Sequence, residues 1–304
     1  MTTRLTFIAC AFAVGCAITI AAQVPQPQPP QSQTPTFSTR AEFVRVDTLV
    51  TSRGNTIAGL KAADFELRDN GVPQQVTVIE TASLPVDVVM ALDVSDSMTG
   101  APLASIQDAA QTVIESLREG DRVALVSFSD LLLVHARLTN DFVRVRQEIL
   151  HLAASGFTSL RDAAYAAMFQ GDPDSGRSLV MLFTDGQDMS SWLSEGAVVD
   201  AAKRVNAVIY SVTLKPAKNA LRVAPQDEIL DTLPALTGGR RLSAEQPARL
   251  REVFATIIRE FRQRYILTYV PRGVDRAGYH ALDVRLANGR KGEVRARPGY
   301  FRSS

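Results

Sequence analysis

Two carboxylates and two hydroxyls lie within five residues in the stretch "DVSDSM", which directly follows the apolar run "VDVVMAL". Asp93, Ser95 and Ser97 alternate with Val94 and Asp96 at the end of a segment of buried-strand composition. Leaving such polar groups buried without partners costs about 1–3 kcal/mol each. The stretch is therefore predicted either to cap the next helix or to bind a ligand.

Two more polar clusters follow predicted strands or loops further along the chain. "GFTSLRDA" places Thr158 in a loop before a helix, and "FTDGQD" places Asp185 directly after the apolar run "LVMLF". Ligands of open α/β sheets bind at the carboxyl ends of the strands, where these clusters are expected to meet.

The three clusters together predict a site for a hard divalent cation. Carboxylate and hydroxyl oxygens suit Mg²⁺, which prefers octahedral oxygen coordination and few direct carboxylates. The loops contain no His or Cys for a softer metal. We expect Mg²⁺, with Mn²⁺ or Ca²⁺ as alternatives, and one coordination position left for an outside ligand. The proposed ligands are Asp93, Ser95, Ser97, Thr158 and Asp185.

Helix capping is the alternative for the two serines, because Ser and Asp are preferred N-cap residues. The neighbouring carboxylates are assigned supporting positions rather than ligand positions. Asp96 is expected to face solvent or to lie behind the ligands, and Asp162 and Asp188 to lie at helix ends or behind the ligands.

Short apolar runs alternate with helical periodicity between residues 85 and 264. This pattern predicts an α/β fold with a doubly wound, mostly parallel sheet and helices on both faces. Strand patterns flank it on both sides, including "EFVRVDTLVTS" before it and "RYILTYV" after it. Asn70–Gly71 and Asn288–Gly289 predict hairpins, the second between the last two strands. We expect the flanking β segments, 39–84 and 265–304, to form one small β domain into which the α/β domain is inserted.

The first residues predict export. Arg4 precedes an apolar stretch that ends in small residues near Ala22, and a Pro/Gln-rich stretch follows. Residues 1–22 are predicted to be a secretory signal peptide and residues 23–38 a linker. An uncleaved anchor and lipidation at Cys16 are the alternatives. Cys10 and Cys16 are the chain's two cysteines, so a cleaved chain would contain no thiol.

The spacing Asp93-x-Ser95-x-Ser97, the Thr158 loop and the Asp185-Gly186 pair resemble the metal-ion-dependent adhesion site of von Willebrand factor type A domains. The flanking stretches "LKAADFELRDNGVPQQV" and "VRARPGYF" resemble a bacterial secreted family related to these domains and first described from acidobacteria. The resemblance implies that Ser95, Ser97 and Thr158 contact the metal. It implies that Asp93 and Asp185 lie close to the metal, often through water, and that a partner protein's carboxylate takes the vacant position.

These features favour an exported binding module over an enzyme. No G-x-S-x-G, P-loop or H-E-x-x-H motif is present. A net charge of +1 gives no argument for nucleic acid or an anionic membrane. We expect a protein partner with an acidic side chain, in the periplasm, in the cell envelope or outside the cell. Membrane attachment requires a retained or lipidated N-terminus. The alternatives are a structural envelope protein whose metal only stabilises the fold, and a metal-dependent hydrolase.

Four further residues have open roles. His135, His151 and His280 are widely spaced and are expected to be ordinary surface or half-buried residues. Trp192 follows the Asp185 loop and is either an exposed partner contact or a residue packed against a helix.

Overall fold

The computed structural model describes residues 43–80, 84–172, 177–185, 187–214, 227–275 and 277–302. The predicted signal peptide and linker lie outside these ranges. In chain order, the strands are β1 (Val44–Ser52), β2 (Asn55–Thr56), β3 (Phe65–Asp69), β4 (Val72–Gln74), β5 (Thr77–Glu80), β6 (Asp87–Asp93), β7 (Arg122–Phe128), β8 (Leu132–Thr139), β9 (Ser178–Thr184), β10 (Ala207–Leu214), β11 (Arg241–Ala244), β12 (Tyr265–Tyr269), β13 (Gly278–Leu286), β14 (Glu293–Arg295) and β15 (Gly299–Arg302).

The helices alternate with the strands of the middle part of the chain. They are α1 (Ala101–Ser116), α2 (Phe142–Leu150), α3 (Leu160–Met168), α4 (Glu195–Arg204), α5 (Ile229–Thr237) and α6 (Leu250–Arg262). Short 3-10 turns cover Ala62–Asp64, Asp96–Met98 and Pro247–Arg249.

A six-stranded central sheet has the order β11-β10-β9-β6-β7-β8. Every neighbouring pair is parallel except β7 and the edge strand β8, which are antiparallel. All seven residues of β6 are buried. Val88, Met90 and Leu92 pack into one core cluster, and Val89 and Ala91 into another. Alternate residues of one strand thus point into separate cores, so both faces of the sheet are covered.

The two cores are closed by different helices. One contains buried residues of α1, α2 and α6, and the other contains buried residues of α3, α4 and α5. The helical spacing of apolar residues accounts for this packing, since each helix buries its apolar face against the sheet. The α/β class predicted from the sequence is confirmed.

Strands from before and after the central sheet pair with each other. β1 pairs with β12 and β14, and β12 pairs with β5. A second sheet has the order β15-β13-β3-β4. A third core contains residues of both sheets, among them Val46, Leu67 and Leu267. The two ends of the described chain therefore share one β core.

One of the two predicted hairpins is wrong. Asn288 and Gly289 have positive φ values of 57° and 67°, as an Asn-Gly turn requires. The strand after this turn, β14, pairs with β1, whereas β13 pairs with β3 and β15. The turn is present, but after it the chain crosses from the sheet of β13 to the sheet of β1.

The Asn70–Gly71 turn forms a hairpin, with a partner strand different from the one expected. β3 pairs with β4, and Asp69 lies opposite Val72. The predicted partner, "QQVTVIE", instead contributes β5 to the sheet of β1 and β12. The four-residue strand β11 was not predicted, because a short edge strand shows too little alternation to be recognised.

Candidate functional site

The site lies where the order of the central sheet reverses. The chain passes from β6 to β7 on one side, and later adds β9 on the other side of β6. The loops that leave the carboxyl ends of β6 and β9 therefore diverge and leave a crevice between them. Ligands of open α/β sheets bind at such a point.

A chain of hydrogen bonds joins four of the five predicted site residues. The backbone N–H of Ser95 donates to Asp93 Oδ1 at 2.8 Å. The hydroxyl oxygens of Ser95 and Ser97 are 3.1 Å apart. Ser97 Oγ donates to Asp185 Oδ1 at 3.0 Å. The structure thus brings together Asp93, Ser95, Ser97 and Asp185, and the last of these lies 88 residues from Ser97 in sequence.

Thr158 lies in a third loop that packs on the other two. The residue is 4% exposed. Its carbonyl accepts hydrogen bonds from the N–H groups of Met189 at 2.8 Å and Ser190 at 3.1 Å. No hydrogen bond with another described residue involves its hydroxyl. Its loop is therefore tied to the loop of Asp185, but its side chain does not join the hydrogen-bonded chain of the other four residues.

Asp96 holds the Thr158 loop against the end of β6. Its N–H donates to the Gly156 carbonyl at 2.9 Å, and its Oδ1 accepts from the Gly156 N–H at 3.1 Å. Gly156 has a φ of 79°, and a Cβ there would meet Asp130 Oδ1 at 1.9 Å. Glycine is favoured at this position because its φ is positive and because a Cβ there would displace the Asp130 side chain, which lies on the loop after β7.

The two other carboxylates near the site hold the loop after Asp185. Asp162 accepts from the N–H groups of Trp192 at 3.0 Å and Leu193 at 2.9 Å. Asp188 accepts from the N–H of Arg161 at 3.2 Å and from the hydroxyl of Ser191. Both carboxylates thus connect the loop after Asp185 to the start of α3, which agrees with the helix-end positions expected for them.

The two serines do not use their side chains as helix caps. Ser95 occupies the N-cap position of the 3-10 turn, but its side chain makes no capping hydrogen bond. Helix α1 begins after Gly100, which also provides no side-chain cap. The structure thus contradicts the capping alternative and leaves both hydroxyls directed at each other and at Asp185.

Asp93 is the buried carboxylate of the site, with no exposed surface. Burial raises its pKa to about 6, opposed by hydrogen bonds from Thr184 and Ser95, while the charge of Asp185 raises it further. Thr184 Oγ1 donates to Asp93 Oδ2 at 2.6 Å. Above pH 7 the carboxylate is therefore mostly ionised and has donors on both oxygens.

Thr184 was not recognised from the sequence. It ends the apolar strand β9 directly before Asp185, and it is fully buried. A hydroxyl at the end of an otherwise apolar buried strand needs a partner. That requirement was the sequence feature that could have identified it.

The oxygens at this crevice come from carboxylates and hydroxyls. Such donors fit a hard divalent cation better than a soft one. Among the described residues, no group of three or more His, Cys, Asp and Glu side chains is placed to hold a metal. A cation here would therefore depend on the hydroxyls as well as on the two aspartates.

Exposed apolar side chains stand on the loops around the crevice. Trp192 is 96% exposed, Met189 is 68% exposed and Phe157 is 60% exposed. Met189 and Trp192 belong to the loop after Asp185, and Phe157 precedes Thr158. Of the two alternatives for Trp192, the structure shows the exposed one.

The histidines fall into two groups. His151 is exposed and His135 half-buried, as expected. His280 is fully buried, so its predicted surface or half-buried position is wrong. Its Nδ1 lies 2.8 Å from Asp69 Oδ1, a partner 211 residues away that the sequence did not suggest.

Comparison with known proteins shows which class of domain the residues around this site resemble. Residues 88–187 match the family model of the von Willebrand factor type A domain. The match spans β6 to the loop after β9, and so includes all five predicted site residues. This stretch of the chain is therefore similar to a von Willebrand factor type A domain.

Solved structures show the same fold at low sequence identity. A von Willebrand factor type A protein from Catenulispora acidiphila is 15% identical, with a TM-score of 0.50, over 82% of this chain and 75% of that one. Proximal thread matrix protein 1 from the mussel byssus, with a zinc-occupied MIDAS motif, is 13% identical with a TM-score of 0.51. That match covers 64% of this chain and 50% of the mussel chain.

In the described part of the chain, no helix is long and apolar enough to cross a membrane.

Proposed function

We propose that this protein is an exported binding module that captures a protein partner through a divalent cation. The cation, Mg²⁺ in this proposal, is held by Asp93, Ser95, Ser97, Thr158 and Asp185. Von Willebrand factor type A domains are generally interaction modules rather than enzymes, which supports a binding role. The single observation that carries the proposal is the hydrogen-bonded chain of oxygens from Asp93 to Asp185 at the reversal of the sheet order.

The arrangement of donors supports a site that receives an anionic ligand. The hydroxyls of Ser95 and Ser97 are neutral, and Asp93 already accepts hydrogen bonds on both oxygens. A cation held mainly by neutral oxygens keeps much of its charge for an outside ligand. When bound, it supplies a Lewis-acidic position for a partner carboxylate.

The exposed apolar side chains support a protein rather than a free small acid as the partner. Aromatic residues and Met are enriched in the buried centres of protein interfaces. Phe157, Met189 and Trp192 are exposed on two of the loops that form the crevice. A partner that places a carboxylate in the crevice would cover these side chains at the same time.

Export is proposed from the N-terminal sequence pattern, with the periplasm, cell envelope or extracellular space as the compartment. The zinc-occupied motif of the mussel protein supports a divalent cation at this type of site without deciding which ion this chain prefers.

Capture from the native cell envelope tests the proposed function. Immobilised protein with Mg²⁺ is expected to retain a partner that EDTA releases and that renewed Mg²⁺ rebinds. Ser97→Ala, which removes one hydroxyl from the crevice, should retain none of it. Ser116→Ala is the matched control, because among the described residues that hydroxyl bonds to a carbonyl of its own helix α1 and to no other group. The proposal would be contradicted if wild type and Ser97→Ala retained the partner equally, or if EDTA did not release it.

A further inference from the structure

A second candidate binding site lies at the other end of the central sheet. A cavity of about 220 Å³ opens between the end of α4, the start of β1 and the edge strand β15. Asn206, one of its lining residues, directly precedes β10, so the cavity lies where the parallel strands begin. The lining of this arginine cavity consists of Phe43, Val44, Arg45, Arg204, Asn206, Arg297, Tyr300, Phe301 and Arg302.

The arginine cavity carries a strong positive charge. Four of its lining residues are arginines, and none of the described residues that line it is acidic. Arg45 and Arg204 form no ion pair with a carboxylate in the described ranges. Asp47, which is not a lining residue, attracts Arg45 and Arg297 electrostatically. Its Oδ1 also lies 3.8 Å from Arg264 Nε, so its negative charge is divided among several arginines. The arginines thus bring several positive charges to one small cavity.

Arg297 is held rigidly at this position by backbone carbonyls. Its Nε donates to the Gly299 carbonyl at 2.7 Å, its Nη1 to Val205 at 3.2 Å and its Nη2 to Lys203 at 2.9 Å. Burial lowers its pKa, against the opposing charges of Tyr279 and Asp47. A half-buried guanidinium with only carbonyl partners still favours a nearby anion.

Arg204 is also positioned before any ligand binds. Its guanidinium carbon lies 4.1 Å from the ring centre of Phe301, a cation–π contact. The Phe301 ring in turn meets Tyr279 edge to face, with 5.3 Å between ring centres. Because the aromatic pair restrains the guanidinium, less side-chain entropy is lost when it binds an anion.

We propose that the arginine cavity binds a phosphate group, either as free phosphate or as the terminal group of a phosphomonoester. Guanidinium groups match phosphate oxygens in paired, charge-assisted hydrogen bonds. A monoester carries a charge of about −1.5 to −2 at neutral pH and so can satisfy several arginines, whereas a carboxylate offers one charge. The volume is below the roughly 300 Å³ at which pockets for drug-sized ligands begin. It therefore suits an anionic head group, with Phe43 and Phe301 available to contact the remainder of an ester.

The test is isothermal titration calorimetry of the full chain with inorganic phosphate, phenyl phosphate and acetate at constant ionic strength. Wild type is expected to bind phosphate saturably and acetate at least ten times more weakly. Arg45→Gln/Arg204→Gln should weaken phosphate binding by at least about tenfold, since the loss of even one charge-assisted hydrogen bond has that effect. Arg285→Gln is the control, because this side chain is 73% exposed and has the same charge. Circular dichroism checks that each variant is folded.

Phenyl phosphate distinguishes the two forms of the ligand. Tighter binding than phosphate would support a monoester whose ring contacts the aromatic side chains, and equal binding would support free phosphate. The proposal is overturned if wild type shows no saturable phosphate binding, or if the double variant binds phosphate as well as Arg285→Gln does. Neither result bears on the metal proposal, because the two sites lie at opposite ends of the sheet.

Discussion

Replacing Arg264 by methionine is expected to lower the free energy of unfolding by about 3–5 kcal/mol, because it removes the arginine whose charge acts most strongly on the largely buried carboxylate of Asp47. Arg264 is 1% exposed. Its Nη2 donates to the carbonyls of Gly238 at 2.8 Å, Asp47 at 3.0 Å and Arg295 at 3.3 Å. These carbonyls belong to the end of α5, to β1 and to β14. One side chain thus holds three separate segments together.

The carboxylate of Asp47 makes this substitution more costly than the loss of packing alone. Burial raises the pKa of Asp47, and the charge of Arg264 is the largest effect that opposes this rise. Without Arg264 the carboxylate must either remain charged while buried or take up a proton.

Urea denaturation followed by circular dichroism measures this loss. Arg285→Met, at an exposed position of β13, is the matched control and should change the free energy of unfolding by no more than about 0.5 kcal/mol. A loss below 1 kcal/mol for Arg264→Met would show that the three segments do not depend on this side chain.

Asp69→Ala is expected to destabilise the β core by a similar amount, about 3–5 kcal/mol, because it leaves three buried polar groups without their hydrogen-bond acceptor. Asp69 has no exposed surface. Its Oδ2 accepts from the hydroxyls of Tyr269 at 2.8 Å and Tyr300 at 2.9 Å, and its Oδ1 lies 2.8 Å from His280 Nδ1. All three partners are buried, and each would lose its hydrogen bond to the carboxylate.

The tyrosines of this cluster are held in their donor form. Burial raises the pKa of Tyr300 to about 12, and burial together with the hydroxyl of Tyr300 raises that of Tyr269 still further. Both hydroxyls therefore keep their protons near neutral pH and donate to Asp69.

Chemical denaturation of Asp69→Ala and Asp283→Ala provides the comparison. Asp283 lies on β13 and pairs with Arg285 at 2.8 Å, with the Asp283 side chain 43% exposed and the Arg285 side chain 73% exposed. Such surface pairs contribute about 0–1 kcal/mol. The interpretation fails if the two variants lose equal stability.

The sequence predicts most of the central sheet because its strands and helices are marked by patterns of neighbouring residues. Strands β6 and β9 are uninterrupted apolar runs, and α1 and α6 have clear helical spacing. The polar residues that follow β6 and β9 are expected to lie close together because parallel strands end at the same edge of the sheet. That Asp93, Ser95, Ser97, Thr158 and Asp185 bind a metal stays a prediction.

What the sequence does not reveal depends on long-range pairing. The Asn288–Gly289 turn has the backbone of a hairpin, yet β14 pairs with β1, more than 200 residues earlier in the chain. His280 could be taken for a surface residue because its partner Asp69 is equally remote. Thr184 was missed for the same reason, since its hydrogen-bond partner Asp93 lies 91 residues away in sequence. Local pattern can show that a polar group needs a partner, but only the fold shows which partner it finds.

The measurement that tests the central claim most directly is titration of Mn²⁺, a spectroscopically visible substitute for Mg²⁺, followed by electron paramagnetic resonance. Wild type is expected to bind one Mn²⁺ per chain at the crevice, and excess Mg²⁺ should displace it. Ser97→Ala should lose most of this binding, while Ser116→Ala should keep it. The account is contradicted if wild type binds no Mn²⁺, or if Ser97→Ala binds it as tightly as wild type does.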